Sequence, residues 1–540
     1  MGTSCPYPER RDRLVTTLSV TSEHVAETFL QTETVSERET EPSRSVPALA
    51  RVPVCVIAGA VALLLLLTSG RYGFFGDELY FRAAGRNLDS GLADQPPLVP
   101  LVARAMEFVF GDWVPGSRLP VIALVMLGVF ITAQIAREFG GGRRAQVLAA
   151  GVYAVSPFFL YGAGHTLSTQ SFDSFSWTLV SWLLVRWVRT REDRMLLFAG
   201  LATAVGLQGK AMLVVFWIGI GASVLLLGPR VMLIRKQLWF GALVAVLLAV
   251  PWVLWQIQHD WPQIEMTQVV SKEIEASGGS RETFLPVAFT WVAGPLGAIL
   301  FSLGALALLF APTLKPYRFY GLATIGIVAA FWYSNGRPFY FAGLFAVCWA
   351  AAAVVIEQRA PKARYVPWVA APIYTFAGIL MLWGLPSGPP IWPLSHYKDQ
   401  PVSPANMQLE EFGWPQMVDA VERAWKQIPE SERATTTVLA GHYWQAGALD
   451  EYGPERGLPP VHSPHRGYWY FGAPPESATT ALVIGYSPED AENMFGEVEA
   501  VTLVDNGHRI NNGTQGQAVY ICREPKQTWE QLWQATRPLV

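Results

Sequence analysis

From about residue 51 to residue 385 the chain alternates long apolar runs with short polar links. A helix needs roughly 20 apolar residues to cross a bilayer core, and fewer inside a bundle. Eleven runs qualify: about 51–70, 118–137, 145–163, 172–189, 195–209, 211–228, 237–257, 286–311, 318–334, 338–357 and 365–385. The fifth is short and joins the sixth through "QGKAM". The pattern predicts a polytopic α-helical membrane protein with about 11 transmembrane helices. Beyond residue 385 the period changes. "WPQMVDAVERAWKQI" has helical spacing, whereas "TTTVLAG", "TALVIGY", "EVEAVTLV" and "QAVYICRE" read as strands. Residues 386–540 are thus expected to form a small α/β or α+β domain.

The links orient the bundle. With residue 1 in the cytoplasm, "REFGGGRR", "RWVRTREDR", "PRVMLIRK", "LKPYR" and "EQRAPKAR" are cytoplasmic and each carries two or more basic residues. The opposite links, "GAGHTLSTQS", "QGKAM" and "SNGRP", carry at most one. The positive-inside rule therefore predicts a multi-pass plasma-membrane protein with a cytoplasmic N-terminus. The first loop 71–117, the loop 258–285 and the domain 386–540 then lie outside.

Composition agrees. Only 15% of residues are charged and 51% are hydrophobic, against about 25% charged in soluble proteins. A net charge of −3 gives no basis for nucleic-acid binding. Residues 1–50 are rich in Thr, Ser and Glu and read as a disordered cytoplasmic tail. The four cysteines show neither metal spacing nor a disulfide framework.

Candidate chemistry gathers on the outer side. "RYGFFGDELYF" places Asp77 and Glu78 just beyond the first span, framed by Phe74, Phe75, Tyr80 and Phe81, which read as an interfacial collar. Asp94 follows in "ADQPPLVPL", where the prolines shape the loop and favour a helix start. Acids beside membrane spans are costly unless they face protein or a wet cavity; the bland reading is a loop charge or a helix cap. In "GAGHTLSTQSFDSFSW", Asp173 reads as a helix cap, and His165 as a phosphate or metal contact or an interfacial polar group. Lys210 and Arg337 are lone basic residues at outer junctions, suited to headgroups or to a lipid phosphate. The His259–Asp260 pair is a weaker candidate.

Acids, a few bases and a large outer domain fit an enzyme acting on an anionic lipid-linked substrate. A carboxylate would take the proton of an acceptor hydroxyl, and a base or a divalent metal would balance the leaving phosphate. A transporter or flippase for a lipid-linked saccharide is the alternative, although no internal repeat is evident and the acids fall at span ends. A non-catalytic assembly protein is the third reading.

The acid pair in "RYGFFGDELYF", followed by "DQPPLVPLVARA", resembles the first outer loop of integral-membrane glycosyltransferases of the C superfamily. It is most similar to family 39, the dolichyl-phosphate-mannose protein mannosyltransferases with their bacterial and aminoarabinose-transferase relatives. The C-terminal segment has the look of actinobacterial members. The resemblance implies a polyprenyl-phosphate sugar donor and a glycan, lipid or protein acceptor, with inversion usual at the anomeric carbon. It assigns Asp77 as catalytic base, Glu78 as its catalytic neighbour and Asp94 to acceptor or metal contacts, with His165 grouped there on the residue reading above. Lys210 and Arg337 match donor-phosphate positions more loosely. Metal dependence differs between branches, so no cofactor is certain. The loop 258–285 is too short for the β-trefoil insert of eukaryotic protein mannosyltransferases.

Overall fold

The computed structural model describes residues 46–88, 93–276, 279–359, 390–400, 402 and 406–536. The eleventh apolar run, about 365–385, and nearly all of the N-terminal tail lie outside them. Residues 46–50 are described, and they are tied down: Ala50 N–H donates to Gln146 Oε1 at 2.8 Å, and Arg137 Nε donates to the Pro47 carbonyl at 2.9 Å. Residues 46–50, counted with the tail, are thus joined to the helical bundle.

Helices occupy the ten remaining runs: α1 (Arg51–Thr68), then, after the short α2 (Gly76–Arg86) and α3 (Leu98–Phe110), α4 (Val114–Glu138), α5 (Arg143–Ala154), α6 (Thr169–Thr190), α7 (Arg194–Leu207), α8 (Leu213–Leu227) and α9 (Lys236–Gln258). There follow α10 (Pro262–Ala276), α11 (Arg281–Val287), α12 (Pro295–Phe310), α13 (Arg318–Tyr333) and α14 (Phe345–Arg359). Among the described residues, four helices are long and apolar enough to cross a bilayer by themselves: residues 51–68, 114–138, 236–258 and 342–359.

Two runs expected as continuous are broken. Run 286–311 bends by 112° between Val292 and Pro295, because Gly294 adopts φ +75° and Pro295 has no N–H to continue the ladder. Run 145–163 ends its regular helix at Ala154 and closes with a wider π turn, Phe158–Gly162, after Pro157. The helix α14 lies at the centre, with every residue from Phe345 to Val354 buried. The helix α9 lies outermost, exposing Trp239, Phe240, Leu243, Val246 and Leu247. Such a surface is stable against hydrocarbon, where helices satisfy their own backbone.

The C-terminal part builds on a five-stranded sheet: β1 (Thr436–Ala440), β2 (Val461–His462), β3 (Thr480–Ile484), β4 (Phe495–Leu503) and β5 (Ala518–Pro525), in the order β2-β1-β3-β5-β4. The β1 strand is parallel to β2 and β3, while β5 is antiparallel to β3 and β4. Both β1 and β3 are buried at every position, as strands covered on both faces must be. Helices α15 (Trp414–Trp425), α16 (Tyr443–Tyr452) and α17 (Trp529–Ala535) pack around them.

This sheet does not have its core to itself. Phe74, Leu79, Tyr80, Phe81 and Ala84 of the first loop share one buried cluster with Trp414, Met417, Val438, Tyr443, Leu482 and Ile521. The aromatics around the acid pair thus face protein: Phe74, Tyr80 and Phe81 are buried, which corrects the interfacial-collar reading. The cluster seats the first loop under α16 and carries its acids into contact with the sheet domain.

Candidate active site

Asp77 and Glu78 sit in the first turn of α2, where exposed N–H groups and the helix dipole favour carboxylates. Adjacent helical residues point in different directions, and the two acids meet unrelated surroundings. Glu78 points inward. Its carboxylate accepts from Phe75 N–H (2.8 Å), Leu167 N–H (2.8 Å), Arg118 Nε (3.0 Å) and Arg118 Nη2 (2.6 Å). Four donors fill the roughly four lone-pair positions of a carboxylate. Glu78 is therefore a buried anchor of the first loop, held beside Asp77.

Arg118, at the start of α4, is the hub of this anchor and is fully buried. Besides Glu78 it donates to the carbonyls of Ser69 (2.6 Å) and Gly73 (2.8 Å), which fixes the bend between α1 and α2. Glu411 reaches in from the C-terminal part, 3.3 Å from Arg118 Nη2. His165 Nε2 lies 3.1 Å from Glu411 and 2.9 Å from Arg118, and Tyr161 donates its hydroxyl to Glu411 at 3.2 Å. Burial works to raise the Glu411 carboxyl, but His165 and Arg118, with hydrogen bonds from His165 and Tyr161, hold it below the ordinary range. His165 enters this network through Nε2 and is fully buried, while its Nδ1 has no hydrogen-bond partner among the described residues.

Asp77 faces the sheet domain. Its Oδ1 accepts from Tyr443 Oη and from Trp444 Nε1, both at 2.7 Å. Among the described residues Oδ2 accepts no hydrogen bond. Gly76 permits this approach: a Cβ there would lie 2.2 Å from the Trp444 ring. Asp94 Oδ1 accepts from Tyr80 Oη at 2.9 Å. Burial pushes the Asp94 carboxyl up; Arg466 and Tyr80 oppose this, and Asp77 adds to it. The two acids of the first loop thus share one electrostatic site, roofed by Gly467, where a Cβ would strike Tyr80 Oη at 1.9 Å.

Arg466 covers this pair. Its guanidinium lies 4.5 Å from the centre of the Tyr443 ring, and Nη1 donates to the Tyr443 hydroxyl at 3.0 Å. His442 and His465 flank Tyr443, with ring centres 4.7 Å apart. Burial first and the Arg466 charge next push His442 down to about 4; burial, His442 and Arg466 push His465 to about 2. Both rings are therefore neutral at pH 7. None of Tyr443, Trp444, Arg466, Glu411 and Arg118 stood among the sequence candidates. Arg118 had a readable cue, a basic residue opening an apolar run on the side otherwise poor in them; the other four had none.

The expected phosphate-binding residues are engaged by other side chains, and Arg337 is linked to Arg466 through Glu273. Arg337 Nη2 donates to Glu273 Oε2 at 2.8 Å. Lys210 Nζ lies 4.6 Å from the Tyr340 ring centre and acts electrostatically on Asp173. Asp173 sits inside α6 and accepts from Trp177 Nε1 at 3.0 Å; it does not cap the helix. His259 stacks on Trp255, ring centres 4.0 Å apart. Among the described residues no three His, Cys, Asp or Glu side chains converge as a metal site.

Fold and site define a class: a polytopic helical membrane protein whose first loop presents paired acids to a sheet-bearing domain. Comparison with known proteins gives that class its relatives. A family model described as dolichyl-phosphate-mannose-protein mannosyltransferase matches residues 94–255. The lipid A galacturonosyltransferase RgtD of Rhizobium johnstonii is 26% identical over 218 residues, which is 38% of this chain and 44% of that protein. The match thus spans less than half of that curated relative. The crystal structure of ArnT from Cupriavidus metallidurans bound to undecaprenyl phosphate superposes with a TM-score of 0.52 at 18% identity, over 86% of this chain and 97% of that one. The arabinofuranosyltransferase AftD from Mycobacteria gives 0.50 at 14% identity, over 90% of this chain and 41% of that one. The chain shares its fold with ArnT and AftD.

Proposed function

We propose that this protein transfers a sugar from a polyprenyl-phosphate donor to an acceptor hydroxyl on the extracytoplasmic face of the membrane, with Asp77 as general base. The observation that carries the reading is the state of Asp77. One oxygen is fixed by Tyr443 and Trp444, and the other accepts nothing among the described residues. A base must be oriented yet keep a lone pair for the incoming proton. In the step, the acceptor oxygen bonds to the anomeric carbon and its proton goes to Asp77 Oδ2. The bond from that carbon to the phosphate oxygen breaks, and polyprenyl phosphate leaves. In-line attack inverts the anomeric centre.

Asp94 lies on the same electrostatic site and is suited to the acceptor or the sugar hydroxyls. Lys210 and Arg337 are assigned to the leaving phosphate, whose negative charge grows as the bond breaks. Undecaprenyl phosphate bound to ArnT supports the donor class, and the lipid A galacturonosyltransferase RgtD supports sugar transfer.

The test is to purify the protein, identify co-purifying lipid by mass spectrometry, and assay transfer from polyprenyl-phosphate sugars to cell-envelope acceptors. Recovery of a polyprenyl phosphate and turnover of a cognate donor are expected. Failure of a full donor panel to bind or turn over would instead favour a transport or assembly role.

A further inference from the structure

We infer that Arg337 and Arg466 together form a seat for the phosphate of the lipid-linked donor, and that Glu273 fills this seat until the donor displaces it. The identity of the ligand rests on the glycosyltransferase reading; the seat itself rests on geometry. Glu273 projects from α10. Its Oε2 accepts from Arg337 Nη2 at 2.8 Å, and its Oε1 is bound by Arg466 Nη2. One carboxylate thus bridges two guanidinium groups that come from distant parts of the chain. Two planar forks closing on one oxyanion is the arrangement that binds phosphate, because each offers donors at the spacing of its oxygens.

Arg466 is set for this task. It is a non-glycine residue at φ +52°, an uncommon backbone state that marks a constrained position. Its Nε makes no hydrogen bond among the described residues although it is buried. A donor remains in hand after Tyr443 and Glu273 are served. The seat also lies at the right place. Arg466 donates to the Tyr443 hydroxyl, which donates to Asp77, so a phosphate held there would present its sugar toward the proposed base.

The charges explain why Glu273 must leave. Glu273 binds both guanidiniums, and Arg466 is also drawn on by Asp77 and Asp94, so an incoming phosphate meets little spare positive charge while Glu273 is in place. Departure of Glu273 removes one of these three carboxylates. The helix that carries it is lightly held: only Pro262, Met266 and Val269 of α10 are buried, against a small cluster with Ala93 and Trp255. Segments with few buried apolar contacts open at low cost. Glu273 itself is about one-third exposed, at 31%.

The test is titration of the purified full chain, in phosphatidylcholine nanodiscs, with decaprenyl phosphate. Glu273→Gln removes the competing charge and is expected to tighten binding about tenfold or more; Arg466→Gln is expected to weaken it by a similar factor. In the unmodified protein, decaprenyl phosphate is expected to speed amide hydrogen exchange across residues 262–276. Binding to Glu273→Gln that is unchanged or weaker would overturn the inference, and so would exchange in α10 that does not respond. An equal gain for inorganic phosphate, or for phosphatidylglycerol placed in the disc, would overturn the assignment to the donor. Tightened binding without any sugar transfer would leave the seat standing and refute the enzymatic reading; transfer with no effect of Glu273 on binding would do the reverse.

Discussion

Asp77→Asn separates catalysis from folding more sharply than any other change. Asparagine keeps Oδ1, so Tyr443 and Trp444 retain their acceptor at the 2.7 Å positions. What those two bonds lose is the contribution of the negative charge. Bonds to a charged group contribute about 1.5–3 kcal/mol and neutral ones about 0.5–1.5, so the loss is about 1 kcal/mol per bond and about 2 kcal/mol for both. The protein should still assemble, with a modest fall in melting temperature. The chemistry should suffer far more, because the amide nitrogen now occupies the Oδ2 position and cannot take a proton. Loss of a positioned base costs about 10²–10⁴-fold, or about 2.7–5.5 kcal/mol on the barrier. The assay is single-turnover transfer from a polyprenyl-phosphate sugar in nanodiscs, alongside thermal unfolding of the same preparation. Full transfer by the variant would refute the assignment of Asp77 as base. A collapse in stability matching the loss of rate would show that Asp77 acts through folding alone.

Arg118→Met should behave in the opposite way: it strands Glu78 and Glu411 as buried charges, costs about 3–5 kcal/mol, and should show as lost expression or a much lower melting temperature. Gly76→Ala should impair both folding and transfer, since the new methyl would overlap the Trp444 ring at 2.2 Å, and a smaller side chain at position 444 should restore folding in the double variant. His442, held down to about 4 against an ordinary value near 6.5, binds more protons when unfolded across that window, so stability should fall as pH drops from about 6.5 toward 4. Melting curves between pH 7.5 and 4.5 should show this slope, and His442→Gln should reduce it, leaving the part that His465 contributes.

The acid pair and its glycine illustrate how far the chain could be read without coordinates. The position of Asp77 and Glu78 after the first span was visible, because a charge ending an apolar run stands out against its background. Their division of labour was not. It depends on which side of α2 meets Arg118 and which meets Tyr443, residues 40 and 366 positions away from the acids they bind. The glycine of "GDELYF" reads as an ordinary helix start until Trp444 is found against it. His165 looked like a ligand because a polar loop surrounds it; its burial beside Glu411 came from a segment 246 residues later.

The sequence by itself determined what local pattern controls. Runs of apolar residues place the helices, and the pattern past residue 385 places four of the five strands of the sheet. These features follow from backbone hydrogen bonding and solvent preference, which act over a few residues. Only the tertiary structure decided which charges are spent and which remain available. Arg118 holds Glu78 and Glu411 in the interior, while one oxygen of Asp77 accepts nothing among the described residues and Glu273 joins two arginines from distant segments. The physical reason is that pairing energy depends on separation in space and on exclusion of water, and neither is written in the spacing of residues along the chain.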